Sequence, residues 1–241
     1  MTLVEFATVA CAVFFASFVQ AIAGFGFGLL AVPLMSLAIA PKRAVVISAL
    51  VGVLITTWQA WSMRRDADRP VVKRMTIAAY VGMPFGLVVL ITFSNDALRL
   101  LLGIAVLVAT AVLATNLRVA VGPHADYVAG FVSGVLNTSL STNGPPLAVV
   151  LQARRLDAPE FRATISTVFA LSNAFALVLF IASGKVTRSG LVAAALAAPA
   201  LALGQALGYP IRRHVHGARF RVLVLLLLAA AGISAIVAAL R

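Results

Sequence analysis

Long apolar runs with almost no formal charge fill most of this chain, and they dictate the solvent it folds in. A helix needs about 20 mainly apolar residues to cross the hydrocarbon core of a bilayer. The sequence offers such runs near 3–22, 44–62, 75–93, 97–117, 161–183, 189–210 and 219–240. Shorter ones lie near 26–40, 125–138 and 144–153. All seven carboxylates and all three histidines fall in the polar breaks between runs or near a chain end. With 62% hydrophobic residues, 11% charged residues and a mean hydropathy of +1.07, too little charge remains to cover a water-soluble surface. The expected fold is all-α, a polytopic transmembrane bundle of eight to ten helical segments. The first run begins at Leu3 and carries Glu5 where a cleaved leader would have a basic segment, which predicts a permanent helix.

The net charge of +12 does not signal nucleic acid. The 19 Lys and Arg lie in inter-helix segments, where the positive-inside bias accounts for them, and no basic face with interleaved aromatics occurs. Cys11 is the only cysteine, so neither an intrachain disulfide nor a thiolate metal site is available. No cofactor and no metal is expected. The partners expected are a small anion and membrane lipids, and the apolar surface is compatible with a monomer or a homodimer.

The two halves read as copies. Pro33 and Pro146 each follow a glycine-containing break; Arg43 and Arg162 each open the next long run. Pro84 and Pro199 fall within the run after that, and Arg99 and Arg221 start the last. The offsets are 113, 119, 115 and 122, so one unit of 1–120 recurs as 121–241. Charge decides their relative orientation. If each glycine-broken pair counts as one crossing, the basic residues divide 9 to 10 between the two sides. If each pair turns back on itself, 13 of them (in 64–74, at Arg118, in 154–162 and in 212–221) share one side against 6 on the other. The second arrangement satisfies the positive-inside rule. It makes the repeats inverted, each a broken or re-entrant helix pair followed by three full transmembrane helices, with both termini outside. Broken helices meeting near the midplane form the substrate sites of inverted-repeat transporters.

Two interruptions carry the candidate chemistry. The first runs from Gln20 through Gly24-Phe25-Gly26-Phe27-Gly28. Each glycine costs a helix about 1 kcal/mol relative to alanine, so the spacing serves either close helix packing or an unwound tip whose N–H groups face a ligand. The second is Asn137-Thr138-Ser139-Leu140-Ser141-Thr142-Asn143-Gly144-Pro145-Pro146, with six uncharged hydrogen-bonding side chains and no carboxylate. Between apolar flanks such a cluster must be buried in protein or line a wet cavity; an extramembrane loop is the alternative. Asn143-Gly144 signals a turn, the prolines suit a new helix, and a half-helix N-terminus suits an anion. The candidate binding residues are Gln20, Gly24, Gly26, Gly28, Asn137, Ser139, Ser141, Thr142, Asn143, Gly144 and Pro145. Ser48, Gln59, Ser166, Thr167, Ser172 and Asn173 form a secondary wall, for which a helix-to-helix hydrogen bond is the competing role.

The Gly24-Phe25-Gly26-Phe27-Gly28 break with Val32-Pro33-Leu34, echoed by Ser133-Gly134 and Asn143-Gly144-Pro145-Pro146, resembles the TauE/SafE family. These are the 4-toluene sulfonate uptake permeases, often labelled sulfite exporters. The resemblance covers almost the whole chain, including the duplication. The family's glycine signature carries over to Gly24, Gly26 and Gly28, and later to Gly144 with Pro145. Phenylalanines separate the glycines of the first break, and Ser141-Thr142-Asn143 stands where the family often has glycines. The resemblance implies transport of sulfite, sulfonates such as sulfoacetate, or related organosulfur anions across the bacterial cytoplasmic membrane.

The residues also bound the mechanism. With no Asp, Glu or His deep in an apolar run, a side-chain proton relay lacks a carrier. Export of a monoanion from a negative-inside cell gains about 2.3 kcal/mol per 100 mV, so uniport suffices; sodium held by carbonyls at the breaks is an alternative. An intramembrane serine hydrolase at Ser139 or Ser141 needs a base within reach, and every histidine and lysine lies in a break. A non-transporting membrane subunit or scaffold and an anion channel are the remaining alternatives.

Overall fold

The computed structural model describes residues 1–115, 121–211 and 218–240. Arg118, Arg212, Arg213, His214, His216 and Arg241, which enter the charge argument above, lie outside them. The described residues form ten helices: α1 (Leu3–Ala23), α2 (Phe27–Met35), α3 (Pro41–Met63), α4 (Arg69–Thr92) and α5 (Asn95–Ala114), then α6 (Pro123–Leu140), α7 (Gly144–Ala153), α8 (Ala158–Ala182), α9 (Arg188–Ile211) and α10 (Ala218–Ala239). Six of them, α1, α3, α4, α5, α8 and α9, are long and apolar enough to cross a membrane.

Several helices begin a few residues before the apolar runs, and their first turns explain why. Proline occupies the first turn of α3, α4, α6, α7 and α8, where its missing N–H costs nothing. Asp68, Ser94 and Asp157 cap the first turns of α4, α5 and α8 by accepting from the N–H groups of Val71, Ala97 and Glu160. Hydropathy registers neither device.

Contacts between helices give their directions. On α1 and α9, Ser17 donates to the Leu201 carbonyl, Gly204 lies against Phe14 and Ser17, and Gly208 against Phe18 and Ala21, so these two run parallel. On α4 and α6, Gly130 lies against Met75, Gly134 against Ala79, and Gly86 against Val135 and Thr138, again parallel. By contrast α3 and α8 are antiparallel, since Thr56 meets Asn173 while Asp68, just beyond α3, meets Thr164 at the start of α8. Gly103 of α5 faces Gly232 and Ile236 of α10, and Leu107 lies back against Gly232, so this pair is antiparallel too.

The pairs α1–α9 and α4–α6 exchange when α1–α5 is swapped for α6–α10, whereas α3–α8 and α5–α10 map onto themselves. Self-mapping pairs that run antiparallel demand a two-fold axis across the helices, which is inversion rather than parallel duplication. The helices α1 and α3 start on one face of the bundle, here the first face. From near its far end α1 turns at Gly24, and α2 runs back beside it to the start of α3. Both α6 and α7 do the same from the second face. The outer surface is apolar, with Phe85, Val88, Val178, Ile181, Leu196 and Leu203 all more than half exposed, as contact with acyl chains requires.

Lipid is as apolar as leucine, so helices associate in it through close packing. Between α4 and α6 that closeness comes from Gly82, Gly86, Gly130 and Gly134, where an added Cβ would run into the carbonyls of Phe131, Val135, Met75 and Ala79. A Gly134→Leu substitution should therefore cost about 3 kcal/mol, the upper end of ordinary overpacking. Thermal unfolding followed by the fluorescence of Trp58 and Trp61 checks it, and an unchanged midpoint would contradict the close α4–α6 approach.

Candidate functional site

The chain leaves α1 through Gly24, whose φ of +85° closes the helix with its N–H on the Gln20 carbonyl at 2.7 Å. Gly26, at φ +102°, then starts α2. Both conformations are cheap only for glycine. In the second break Ser141 takes the left-handed conformation, at φ +57°, and α7 starts at Gly144. The two breaks meet: the Ser141 carbonyl packs on the Cα of Gly28, and the Phe25 ring packs on Gly144. Any Cβ at position 28 would collide with that carbonyl.

Around this contact lies a cavity of about 20 Å³, lined by Gln20, Gly26, Phe27, Gly28, Leu29, Ser48, Gly52, Thr56, Ser141, Thr142, Asn143, Gly144, Phe169 and Asn173. It has room for a water molecule and not for a sulfur oxyanion. Its polar lining is rich in donors. The N–H groups of Phe27, Gly28 and Leu29 belong to the first turn of α2 and have no helical acceptor. Thr142 Oγ1 and Asn143 Nδ2 are buried without partners among the described residues. Ser141 donates to Ser48 at 3.0 Å, and Asn173 donates to Thr56 at 3.4 Å. The start of α7 gives fewer backbone donors than a helix of another sequence, because Pro145 and Pro146 carry no N–H.

Gln20, only 1% exposed, lies between this cavity and a larger cleft. The cleft, about 710 Å³, is bounded by α1, α3, α8 and α9 and reaches the second-face ends of α3 and α9 at Met63 and Pro210. Gly24, Gln59, Ser166, Arg162 and Gln205 line it, and the Arg162 stem rests on Gly24. A row of amides crosses its inner end. Gln20 donates to Gln59 at 3.2 Å, Gln59 donates to Gln205 at 3.2 Å, and Gln205 donates to the Ser17 carbonyl at 2.6 Å.

Most of the residues expected from the sequence gather here: Gln20, Gly26, Gly28, Ser141, Thr142, Asn143, Gly144, Ser48 and Asn173 at the cavity, Gly24, Gln59 and Ser166 in the cleft. Others do not line these two spaces. Asn137 is buried with Nδ2 unpartnered, one turn behind the break. Ser139 turns back onto the Val135 carbonyl and Thr167 onto Ala163, at 2.6 and 2.7 Å. Ser172 is buried in α8. Pro145 and Ser139 border an apolar groove of about 840 Å³ formed chiefly by α5, α6 and α7, which shares Leu29 and Thr142 with the cavity. Among the lining residues that the sequence did not single out as site residues are Gly52, Thr56, Arg162, Phe169, Gln205 and Tyr209. A glutamine inside the otherwise apolar α9 was the one signal available.

A family model described as "Sulfite exporter TauE/SafE" matches residues 9–235, and the chain belongs to that family. A relative described as "Probable inner membrane transporter protein TsaS", from Comamonas testosteroni, is 30% identical over 102 residues. That alignment covers 42% of this chain and 43% of the relative, so the chain spans under half the length of the relative it matches. No solved structure matches the chain.

Proposed function

From membership of the sulfite exporter TauE/SafE family, we propose that this chain is a multi-pass inner-membrane carrier of small sulfur oxyanions, sulfite and organosulfonates, working by alternating access. The observation that carries the reading is the contact of the two breaks, Gly28 on Ser141, with unpaired donors of Thr142 and Asn143 and the first turn of α2 around it. Neutral donors and a helix N-terminus attract an anion without the grip of a buried cation. Such a site can release its ligand.

The large cleft runs in from the second face to Gln20, where the polar space narrows to the cavity of about 20 Å³. This supports a state open toward the second face. The basic residues support an orientation: of the 15 Lys and Arg among the described residues, 10 lie in segments on the second face, which we take as cytoplasmic, with both termini outside. Units 1–120 and 121–241, related by inversion, would interchange their conformations to open the other face. A site this constricted favours a carrier over an open channel. Export of a monoanion down the membrane potential needs no further coupling, since each 100 mV supplies about 2.3 kcal/mol.

Counterflow of labelled sulfite and sulfoacetate in proteoliposomes at imposed potentials tests the proposal. The expected result is saturable flux that rises with an inside-negative potential for outward movement. Absence of binding and flux for every sulfur anion would overturn it, and sodium-dependent, potential-independent exchange would overturn the uniport. Asn143→Ala, which removes one donor to a charged ligand, should weaken binding about tenfold or more, read by titration calorimetry.

A further inference from the structure

The amide row has a fixed polarity, and that polarity constrains the ligand. Its far end rests on a backbone carbonyl, that of Ser17, which can only accept, so Gln205 must present Nε2 there, at 2.6 Å. Gln205 Oε1 is thereby turned to Gln59, which must donate to it, and Gln59 Oε1 in turn must accept from Gln20. Reversing any one amide would set oxygen against oxygen or N–H against N–H along the row. One atom is left over. Gln20 Oε1 is buried, has no partner among the described residues, and belongs to the side chain that borders both cavity and cleft.

Among the described residues, the other buried unpartnered side-chain atoms at the cavity are Asn143 Nδ2, a donor, and Thr142 Oγ1, a hydroxyl able to donate. Gln20 Oε1 is the one among them that can only accept. A fully deprotonated oxyanion would lay a charged oxygen against this carbonyl, whereas one carrying an O–H satisfies it. Building on the function proposed above and narrowing its substrates, we propose that the site prefers a singly protonated sulfur oxyanion, hydrogen sulfite over both the sulfite dianion and the proton-free organosulfonates, with the anion's O–H donated to Gln20 Oε1. Gln20 is then the contact residue, and Gln59 and Gln205 are positioning residues that set which of its atoms faces the ligand.

The test is calorimetric titration of the full chain with sulfite at pH values on both sides of its second ionisation, beside methanesulfonate, a monoanion with no proton to give. Two ionisable side chains line the cleft, Arg162 from α8 and Tyr209 from α9, and the methanesulfonate series registers any change they undergo. On the acid side sulfite should bind roughly 10- to 100-fold more tightly than methanesulfonate, the effect of leaving a buried acceptor unpaired. Above the ionisation its apparent affinity should fall about tenfold per pH unit as the protonated fraction falls, while methanesulfonate stays level. In Gln205→Leu the row loses its anchor, Gln20 can turn Nε2 to the ligand, and the preference for sulfite at acid pH should collapse. Equal affinities at every pH, or sulfite binding that persists unchanged through its ionisation, would overturn the inference while leaving a sulfur-anion carrier intact. Failure of any sulfur oxyanion to bind at any pH would remove the underlying reading and this one with it. The wild-type comparison decides even if Gln205→Leu does not fold.

Discussion

Gly28→Val is expected to abolish transport while the rest of the bundle still assembles. Gly28 is the second residue of α2, and the backbone carbonyl of Ser141 occupies the space where its Cβ would go. A carbonyl cannot rotate away as a side-chain tip can, so the two breaks must separate. Overpacking of this kind costs about 3 kcal/mol, and each 1.4 kcal/mol corresponds to about tenfold in an equilibrium. The fraction of molecules with the breaks joined, and flux with it, should fall by roughly a hundredfold. Gly26 provides a graded comparison. Nothing lies within 4 Å of a Cβ there, but its φ is +102°, so Gly26→Ala meets only the backbone cost of a left-handed residue, about 1–2 kcal/mol. Flux in proteoliposomes should rank wild type, then Gly26→Ala, then Gly28→Val. Full flux from folded Gly28→Val protein would mean that the breaks do not meet as described.

The same residues show what a sequence of this kind exposes and what it conceals. Apolar runs exposed the membrane helices because hydrocarbon leaves the backbone no other partner than itself. Prolines and arginines point to the repeat, and loop charge to its inversion. Yet Pro33 sits late in α2 while Pro146 sits in the first turn of α7, so that pair is not equivalent. It is the antiparallel α3–α8 and α5–α10 contacts that carry the inversion. The breaks at Gly24–Gly28 and Asn137–Gly144 stood out because polar residues and glycines have no business of their own within an apolar helix. Helix starts were less legible, since Pro41, Pro70 and Pro159 look like interruptions yet sit in first turns.

Side-chain direction was not legible at all. Ser139 and Thr167 satisfy themselves on their own helices, whereas Thr142 and Asn143 remain open, and nothing in their residue types separates the pairs. The amide row joins residues 39 and 146 positions apart. Such a row depends on α1, α3 and α9 being neighbours, which no local pattern encodes.

Asp126→Ala is expected to give the largest loss of stability of any single change outside the breaks. The sequence places this carboxylate at the polar start of a helix. In the folded chain its side chain is fully buried, with 0% exposed, in the first turn of α6. Arg74 Nε lies 2.7 Å from one oxygen, and Arg154 Nη2 lies 2.7 Å from both. Arg74 is on α4 and Arg154 caps the end of α7, so one carboxylate ties the base of the α6–α7 hairpin to its neighbour on the second face. The two guanidinium side chains are only 24% and 16% exposed. Removing the carboxylate leaves two positive charges facing each other with little water, a loss of about 3–5 kcal/mol. Asp126→Asn keeps the shape but not the charge and should recover only part of it. Restoring stability should instead need all three residues changed together, for example Asp126→Leu with Arg74→Met and Arg154→Met, because a buried ion cluster and a well-packed apolar one can be close in free energy. Urea unfolding of the detergent-solubilised variants measures each difference. If Asp126→Ala matched wild type, the cluster would be a surface pairing in effect, and the hairpin would be held by its apolar packing alone.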